Sequence, residues 1–260
     1  HSQNLDFNAT ATYSYNKNKV VYVNVKAPVY YLQLDYPSSY PIVGNPYASI
    51  YAYKWAGLNN KGLPQVYDGS GQATVDNPQS LDAIVYAGTT EPLTNASLNL
   101  MLRYKSFDFS CLWVYRGGHK LRNSDLPMLS NAYNSALMGY TASFAPVNKN
   151  ITNRWKQAGD ELKTNVPRAL FPESSDYNSN SSTIYGYAGI NVIDASNLRL
   201  ANISLSYSLP SQMLHKIYLS NAKLQFNVEN ALTIAKSKAA KYMLGGYTSP
   251  NYVWGLSFEF

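Results

Sequence analysis

The sequence predicts an all-β chain, the C-terminal part of a transmembrane antiparallel β-barrel with long extracellular loops. Three observations lead there. Segments of about ten residues alternate apolar and polar side chains, as a membrane-crossing strand requires. No apolar run approaches the roughly 20 residues of a membrane helix, so a chain that crosses a bilayer must do so with strands. The connections between the alternating segments are very unequal, and loops beyond about 12 to 15 residues are uncommon in compact soluble domains.

The first strand is predicted at Leu5, Phe7, Ala9, Ala11, Tyr13 and Tyr15, which alternate with Asp6, Asn8, Thr10, Thr12 and Ser14. Asn16 to Lys19 reads as a polar turn, after which Val20 to Val25 is predicted to return as a strand. Leu98 to Tyr104 and Phe107 to Tyr115 form a hairpin around Lys105-Ser106. Leu198 and Leu200 change phase relative to Ile203, Leu205 and Tyr207, so a bulge or a switch of face is expected near Asn202. Pro210 ends that strand, and Leu224, Phe226 and Val228 belong to the next. In the last, Asn251 to Phe260, the side chains Tyr252, Trp254, Leu256, Phe258 and Phe260 alternate with Val253, Gly255, Ser257 and Glu259. Lys105-Ser106 and Ser208 to Lys216 are the short connections, expected at the periplasmic side. Gly117 to Ala195 and Ala235 to Pro250 are the long ones, expected outside. The same alternation also fits a soluble β-sandwich.

Composition agrees with two-sided surroundings. The 260 residues include 24 Tyr against 8 Phe, and charged residues are 14%, well below the usual quarter or so. Rings with a polar tip suit membrane interfaces and ligand-binding faces. The net charge of +6 is scattered along the chain, which argues against a nucleic-acid surface. Cys111, the single cysteine, has no internal disulfide partner and sits in an alternating series as a small packed or lipid-facing side chain. His1-Ser2-Gln3-Asn4 shows neither a basic region nor an apolar signal core, so an exported chain is expected to be a processed or truncated product.

Little in the sequence carries covalent chemistry. His1, His119 and His215 lack companions at metal-ligand spacing, so neither a metal nor a cofactor is expected. No nucleophile elbow, Walker loop or dinucleotide fingerprint is present, and Gly69-Ser70-Gly71 reads as a turn. Asp176, Asn178 and Asn180 match only the opening of a calcium loop. His119 with Asp125 is the one nearby pair a hydrolase could use. The loops instead supply binding groups: Tyr30, Tyr31, Tyr36 and Tyr40, and then Trp155, Arg168, Tyr185 and Tyr187. Such rings stack on sugars or peptide side chains while amides and Arg give direction. The alternative is that they pack the loops on one another or on a partner protein.

Four stretches then follow in order. They are Val43-Gly-Asn-Pro46 running through Tyr51-Ala-Tyr-Lys-Trp-Ala-Gly-Leu58 to Gly62-Leu-Pro-Gln65; Tyr104-Lys-Ser-Phe-Asp108; Trp155 with Gly159-Asp-Glu161 and Thr164-Asn-Val-Pro-Arg168; and Leu198 to Pro210 with Glu229-Asn230 after it. Together they resemble the SusC/RagA-like family of TonB-dependent outer-membrane transporters of Bacteroidetes. One departure is that Lys236 to Tyr247 lacks the Asp-Pro-Glu segment the family often carries after Glu229-Asn230.

The resemblance implies a bacterial outer-membrane protein in which a barrel of 22 strands surrounds an N-terminal plug, with residues 1–260 as the C-terminal barrel segment and the plug absent. About eight strands of ten residues cannot close such a barrel, so a plug-bearing remainder of the transporter is expected as a partner. A SusD-like surface lipoprotein, TonB acting through the plug, outer-membrane lipid and a glycan or peptide substrate complete the set. The terminal strand resembles an assembly signal. The expected function is energy-coupled import of oligosaccharides or peptides without catalysis; the alternative is a surface binding or adhesion protein that a barrel anchors.

Overall fold

The computed structural model describes residues 5–127, 148–169, 178–214, 218–244 and 249–260, in two compact units. His1, His215 and Asp176 lie outside the described residues. Thirteen strands are present among the described residues: β1 (Leu5–Tyr15), β2 (Ser49–Tyr53), β3 (Trp55–Leu58), β4 (Pro64–Tyr67), β5 (Ala73–Thr74), β6 (Ile84–Thr89), β7 (Thr94–Tyr104), β8 (Phe107–Gly117), β9 (Lys120–Arg122), β10 (Val192–Asp194), β11 (Asn197–Ser208), β12 (Asn221–Ala235) and β13 (Asn251–Glu259). Among the described residues no helix is long and apolar enough to cross a membrane.

The first unit, residues 1–17, 91–119 and 194–260, is built on one antiparallel sheet in the order β1-β7-β8-β11-β12-β13. Side chains in a strand alternate between faces, so register decides what each face carries. Here the rows run apolar to apolar across all six strands. Phe7 pairs with Leu102, Leu102 with Phe109, Phe109 with Leu205, Leu205 with Phe226 and Phe226 with Trp254. The next row holds Leu5, Tyr104, Phe107, Tyr207, Leu224 and Leu256 in the same way. The opposite face carries Asp6, Arg103, Asp108, Ser206 and Gln225 in one row. On that face the Arg103 guanidinium donates to Asp108 at 2.7 Å, and Lys223 approaches the same carboxylate at 3.6 Å.

The phase change in β11 is a bulge. Leu200 pairs with Trp113 and Ile203 with Cys111, so Ala201 is one residue more than β8 has. On β12, Leu232 opposes Leu200 and Glu229 opposes Asn202, so the two residues Asn230 and Ala231 lie opposite the single Ala201. The insertions keep Leu198 and Leu200 on the face of Ile203, Leu205 and Tyr207. Asn230 takes a left-handed φ of 53°, a conformation Asn tolerates better than most residues, and its side-chain oxygen accepts from Arg199 at 2.6 Å. Cys111 is buried on the apolar face.

The two ends of the sheet differ. Tyr104 and Phe107 are joined by a two-residue turn with φ 52° at Lys105, and Ser208 leads to β12 through a short helix, Ser211–Leu214. The connections 16–93, 118–196 and 236–250 all leave from the other end. Short and long connections therefore segregate, as the alternation pattern predicts.

Three expectations are corrected. Val20 to Val25 is not a strand: Val20 bonds to Gly44 and Asn45, and beyond it no residue among those described pairs with the segment. Among the described residues the large sheet has six long strands rather than about eight. The stretch Gly117 to Ala195, read as loop, contains β9, β10 and the helix Asn180–Tyr187.

The second unit, residues 18–90 and 120–193, packs small sheets around an aromatic core: β2 with β6, β3-β4-β5, and β9 with β10. Tyr51, Tyr53, Val66, Ile184 and Ala188 are its centre. Buried tyrosine needs a partner for its hydroxyl, and each ring finds an amide. Tyr53 donates to Asn77 at 2.8 Å, Asn77 donates to Tyr30 at 3.2 Å, and Asn45 donates to Tyr51 at 3.1 Å. The described phenylalanines, by contrast, all belong to the sheet of the first unit.

The bulge gives a two-way test. Asn230→Gly is expected to be tolerated, whereas Asn230→Val places a β-branched residue in the left-handed region and removes the Arg199 bond, costing about 1–3 kcal/mol. Urea unfolding in detergent, followed by intrinsic fluorescence, separates the two.

Candidate functional site

The binding groups named from sequence lie in the second unit, where three segments hold them. The helix Tyr30–Asp35 carries Tyr30 and Tyr31; Tyr36 is its C-terminal cap, and Tyr40 follows. Tyr31 and Tyr36 are exposed, while Tyr30 packs on the core. Tyr40 is half-buried, and its carbonyl accepts from the buried Gln33 amide at 2.8 Å.

Helix Asn180–Tyr187 carries the other two rings. Tyr185 is 3% exposed and meets Trp55 edge-on at 5.9 Å, so its ring packs these segments on one another. Burial pushes its hydroxyl up to about 12. Tyr187 is half-buried, and its hydroxyl donates to Asp35; burial and then that carboxylate push it up to about 12. The Arg122 guanidinium lies 4.5 Å from the centre of the Tyr187 ring and donates to the carbonyls of Tyr51 (2.5 Å) and Gly186 (3.3 Å). Burial lowers the Arg122 pKa, against the pull of Tyr187 and Asp35. Arg122 thus brackets β9, β2 and the helix. Sequence reading passes over it because Lys120-Leu121-Arg122 is too short to show a period.

The segment 148–169 forms the third part. The Trp155 indole donates to Glu161 at 3.0 Å, and the same carboxylate accepts from the Gly159 amide at 2.8 Å. Gly159 reaches this turn with φ 94°. The Trp155 ring lies against Gly62, where a Cβ would come within 2.4 Å of it, and the Arg168 amide donates to the Gly62 carbonyl at 3.1 Å. Asn165 accepts from the Trp55 indole at 3.2 Å. Between these elements is an open cleft of about 950 Å³. Its lining is rich in carboxamides, from Asn123, Asn150, Asn153, Gln157, Asn165 and Asn191, with Arg154, Lys156, Tyr185 and Lys163, which pairs with Asp160 at 3.6 Å. Such a surface offers paired donors and acceptors together with positive charge, the equipment for hydroxyl- or amide-rich ligands.

Of the eight residues, the structure places only Tyr185 on this cleft. Tyr40 lines a separate apolar cavity of about 320 Å³. Trp155 and Tyr187 spend their polar atoms on neighbouring side chains. His119 is buried, with burial lowering its pKa and Asp194 and Arg116 as its nearby charges, whereas Asp125 bonds to Asn148. Among the described residues no three His, Cys, Asp or Glu side chains gather as a metal site.

No family model matches the chain. The TonB-dependent receptor P3 of Formosa agariphila is 24% identical over 257 residues, a match that spans 89% of this chain and 22% of that protein. Among solved structures, the RagAB peptide transporter matches the whole chain with a TM-score of 0.69 at 21% identity, over 28% of the chain it matches. The chain has the fold of a segment of that transporter. The RagAB peptide importer in its closed-closed and open-open states gives TM-scores of 0.69 and 0.67. The chain therefore spans roughly a quarter of the proteins it resembles.

The stretches that carry the resemblance to SusC/RagA-like transporters fall where the backbone is unusual or the packing tight. Tyr51 to Leu58 supplies β2 and β3 of the core, and Gly62 and Trp155 fit against each other. Lys105 and Asn230 are left-handed, and Leu198 to Pro210 is the bulged strand.

Two outcomes test this site. The Trp155 indole and then backbone amides hold Glu161 below its ordinary value of 4.5, so the stabilisation is complete above 4.5 and lost as pH falls through the lowered value. Acid is expected to loosen 154–168 first, read as faster limited proteolysis there, and Gly62→Ala to do the same at neutral pH. Arg122→Met is expected to cost about 1.5–3 kcal/mol by removing charged hydrogen bonds, read as a lower urea midpoint.

Proposed function

We propose that the chain is the C-terminal barrel wall and outer loops of an outer-membrane, TonB-dependent importer of oligosaccharides or peptides. One observation carries the reading: an apolar face runs without interruption across six antiparallel strands, ending on Trp254, 78% exposed, and Phe260, 89% exposed. A sheet offering such a face on one side and Asp, Arg, Asn and Ser on the other suits a wall between lipid and an aqueous lumen. Similarity to a TonB-dependent receptor and to a peptide transporter supports import, and no covalent chemistry is assigned.

In this reading Tyr252, Trp254, Leu256, Phe258 and Phe260 face lipid, and the strand that holds them is the assembly signal. β1 and β13 each have one partner strand among the described residues. Unpaired main-chain groups in lipid cost several kcal/mol each, so a plug-bearing remainder of the transporter supplies the neighbouring strands. A SusD-like lipoprotein covers the long loops, TonB acts through the plug, and the amide-rich cleft with the exposed Tyr31 and Tyr36 meets substrate or lipoprotein.

Uptake of a fluorescent oligosaccharide or peptide by cells carrying the protein is expected to vanish on deletion of TonB; uptake that persists sinks the reading in favour of a barrel-anchored binding protein. Leu205→Lys on the apolar face is expected to cost about 2–4 kcal/mol near the bilayer middle and to remove the heat-modifiable folded band on gels. Ser204→Lys, one residue away on the polar face, is expected to leave that band in place.

A further inference from the structure

Two neighbouring rows of the apolar face enclose a trough near the end of the sheet that carries the short connections. Leu205, Phe226 and Trp254 form one side and Tyr207, Leu224 and Leu256 the other, with the main chain of Ser206, Gln225 and Gly255 as the floor. Its volume is about 360 Å³. The rings make contact along each row, Phe107 with Tyr207 at 4.5 Å and Phe226 with Trp254 at 4.2 Å between centres. They lean on their row neighbours and leave the space between the rows open. The floor residues do not fill it, because strand alternation sends their side chains to the opposite face.

Strands pair in the plane of a sheet, so a further strand beside β13 continues the two rows and does not lie over the trough. Charge marks the opposite end, at β8. The row of Tyr207 and Leu224 runs on through Phe107 to Tyr104, and the Lys105 ammonium stands 5.3 Å from the centre of the Tyr104 ring. Lys105 makes no ion pair among the described residues. The carboxylates of Asp6, Asp108 and Glu259 belong to the opposite face of the sheet. A hydrocarbon trough with an uncompensated cation at its end matches a molecule that joins a long apolar chain to an anionic head.

We propose that the trough is a specific site for one anionic phospholipid, an acyl chain lying between the two rows and the phosphate meeting Lys105. The proposal rests on the reading of this face as lipid-facing. It goes further by naming a single held lipid where that reading needs only a surrounding solvent of acyl chains. The aromatic rings fix the trough, and the lysine selects the head.

The test uses the purified full transporter in detergent and phosphatidylglycerol with brominated acyl chains, which quench nearby tryptophan. Quenching of Trp254, taken as the difference from Trp254→Phe, is expected to saturate at a low mole fraction of lipid in the micelle. Lys105→Asn, which suits the left-handed turn at φ 52°, is expected to weaken this saturable quenching about fivefold. The double variant Leu205→Phe with Leu224→Phe narrows the trough from both sides and is expected to abolish it, with the heat-modifiable folded band retained. Quenching that rises in proportion to lipid without saturating overturns the proposal and leaves the lipid-facing wall standing. Saturable quenching that survives either the lysine variant or the double variant overturns it too. If the brominated lipid leaves Trp254 unquenched at every mole fraction, the wall reading falls together with the site.

Discussion

Everything in the first unit depends on the register of main-chain pairing across β1, β7, β8, β11, β12 and β13. Because side chains alternate with period two, a slip of one residue in any strand would carry its apolar set to the opposite face. The row from Phe7 to Trp254 shows that no such slip occurs across five interfaces. The bulge is the device that protects it. Were Ala201 paired regularly instead of bulged, Leu198 and Leu200 would turn to the face of Arg103 and Asp108; Asn230 and Ala231 opposite it let β12 follow. A left-handed Asn, offset by one hydrogen bond from Arg199, is a small local cost for a face that stays continuous.

The second unit obeys a different constraint. Its strands are short and β2 is buried along its whole length, so what must be satisfied is the polar tip of each enclosed ring rather than a face. Amides from Asn45 and Asn77 do this for Tyr51, Tyr53 and Tyr30, and Asp35 does it for Tyr187. The excess of Tyr over Phe thus has two origins: exposed rings on the sheet, and rings inside the second unit with tips bound to amides or a carboxylate.

That division explains what was legible in the sequence. The long strands declare themselves because one residue in two is apolar over ten positions, and the tight turn at Lys105-Ser106 and the bulge near Asn202 appear as interruptions of that period. The core of the second unit does not, because Ser49 to Tyr53 is buried on every side and alternates nothing. Arg122 is hidden for the same reason, in a three-residue strand. Among the ring residues, sequence shows that Tyr185 and Tyr187 are aromatic and near one another, yet only the helix that holds them reveals which face is spent on Trp55 and Arg122.

Val20 to Val25 is the instructive exception. Its alternation matches that of β1, and β-propensity favours it, yet a strand exists only when a neighbour takes its hydrogen bonds. β7 pairs with β1 from Tyr15 back to Leu5, and nothing described lies beside Val21 to Ala27. The sequence pattern therefore records a capacity for pairing that no described residue takes up. In the sheet the same capacity is consumed by neighbours within the chain, which is why alternation of equal quality gives a strand at β1 and none at Val20 to Val25.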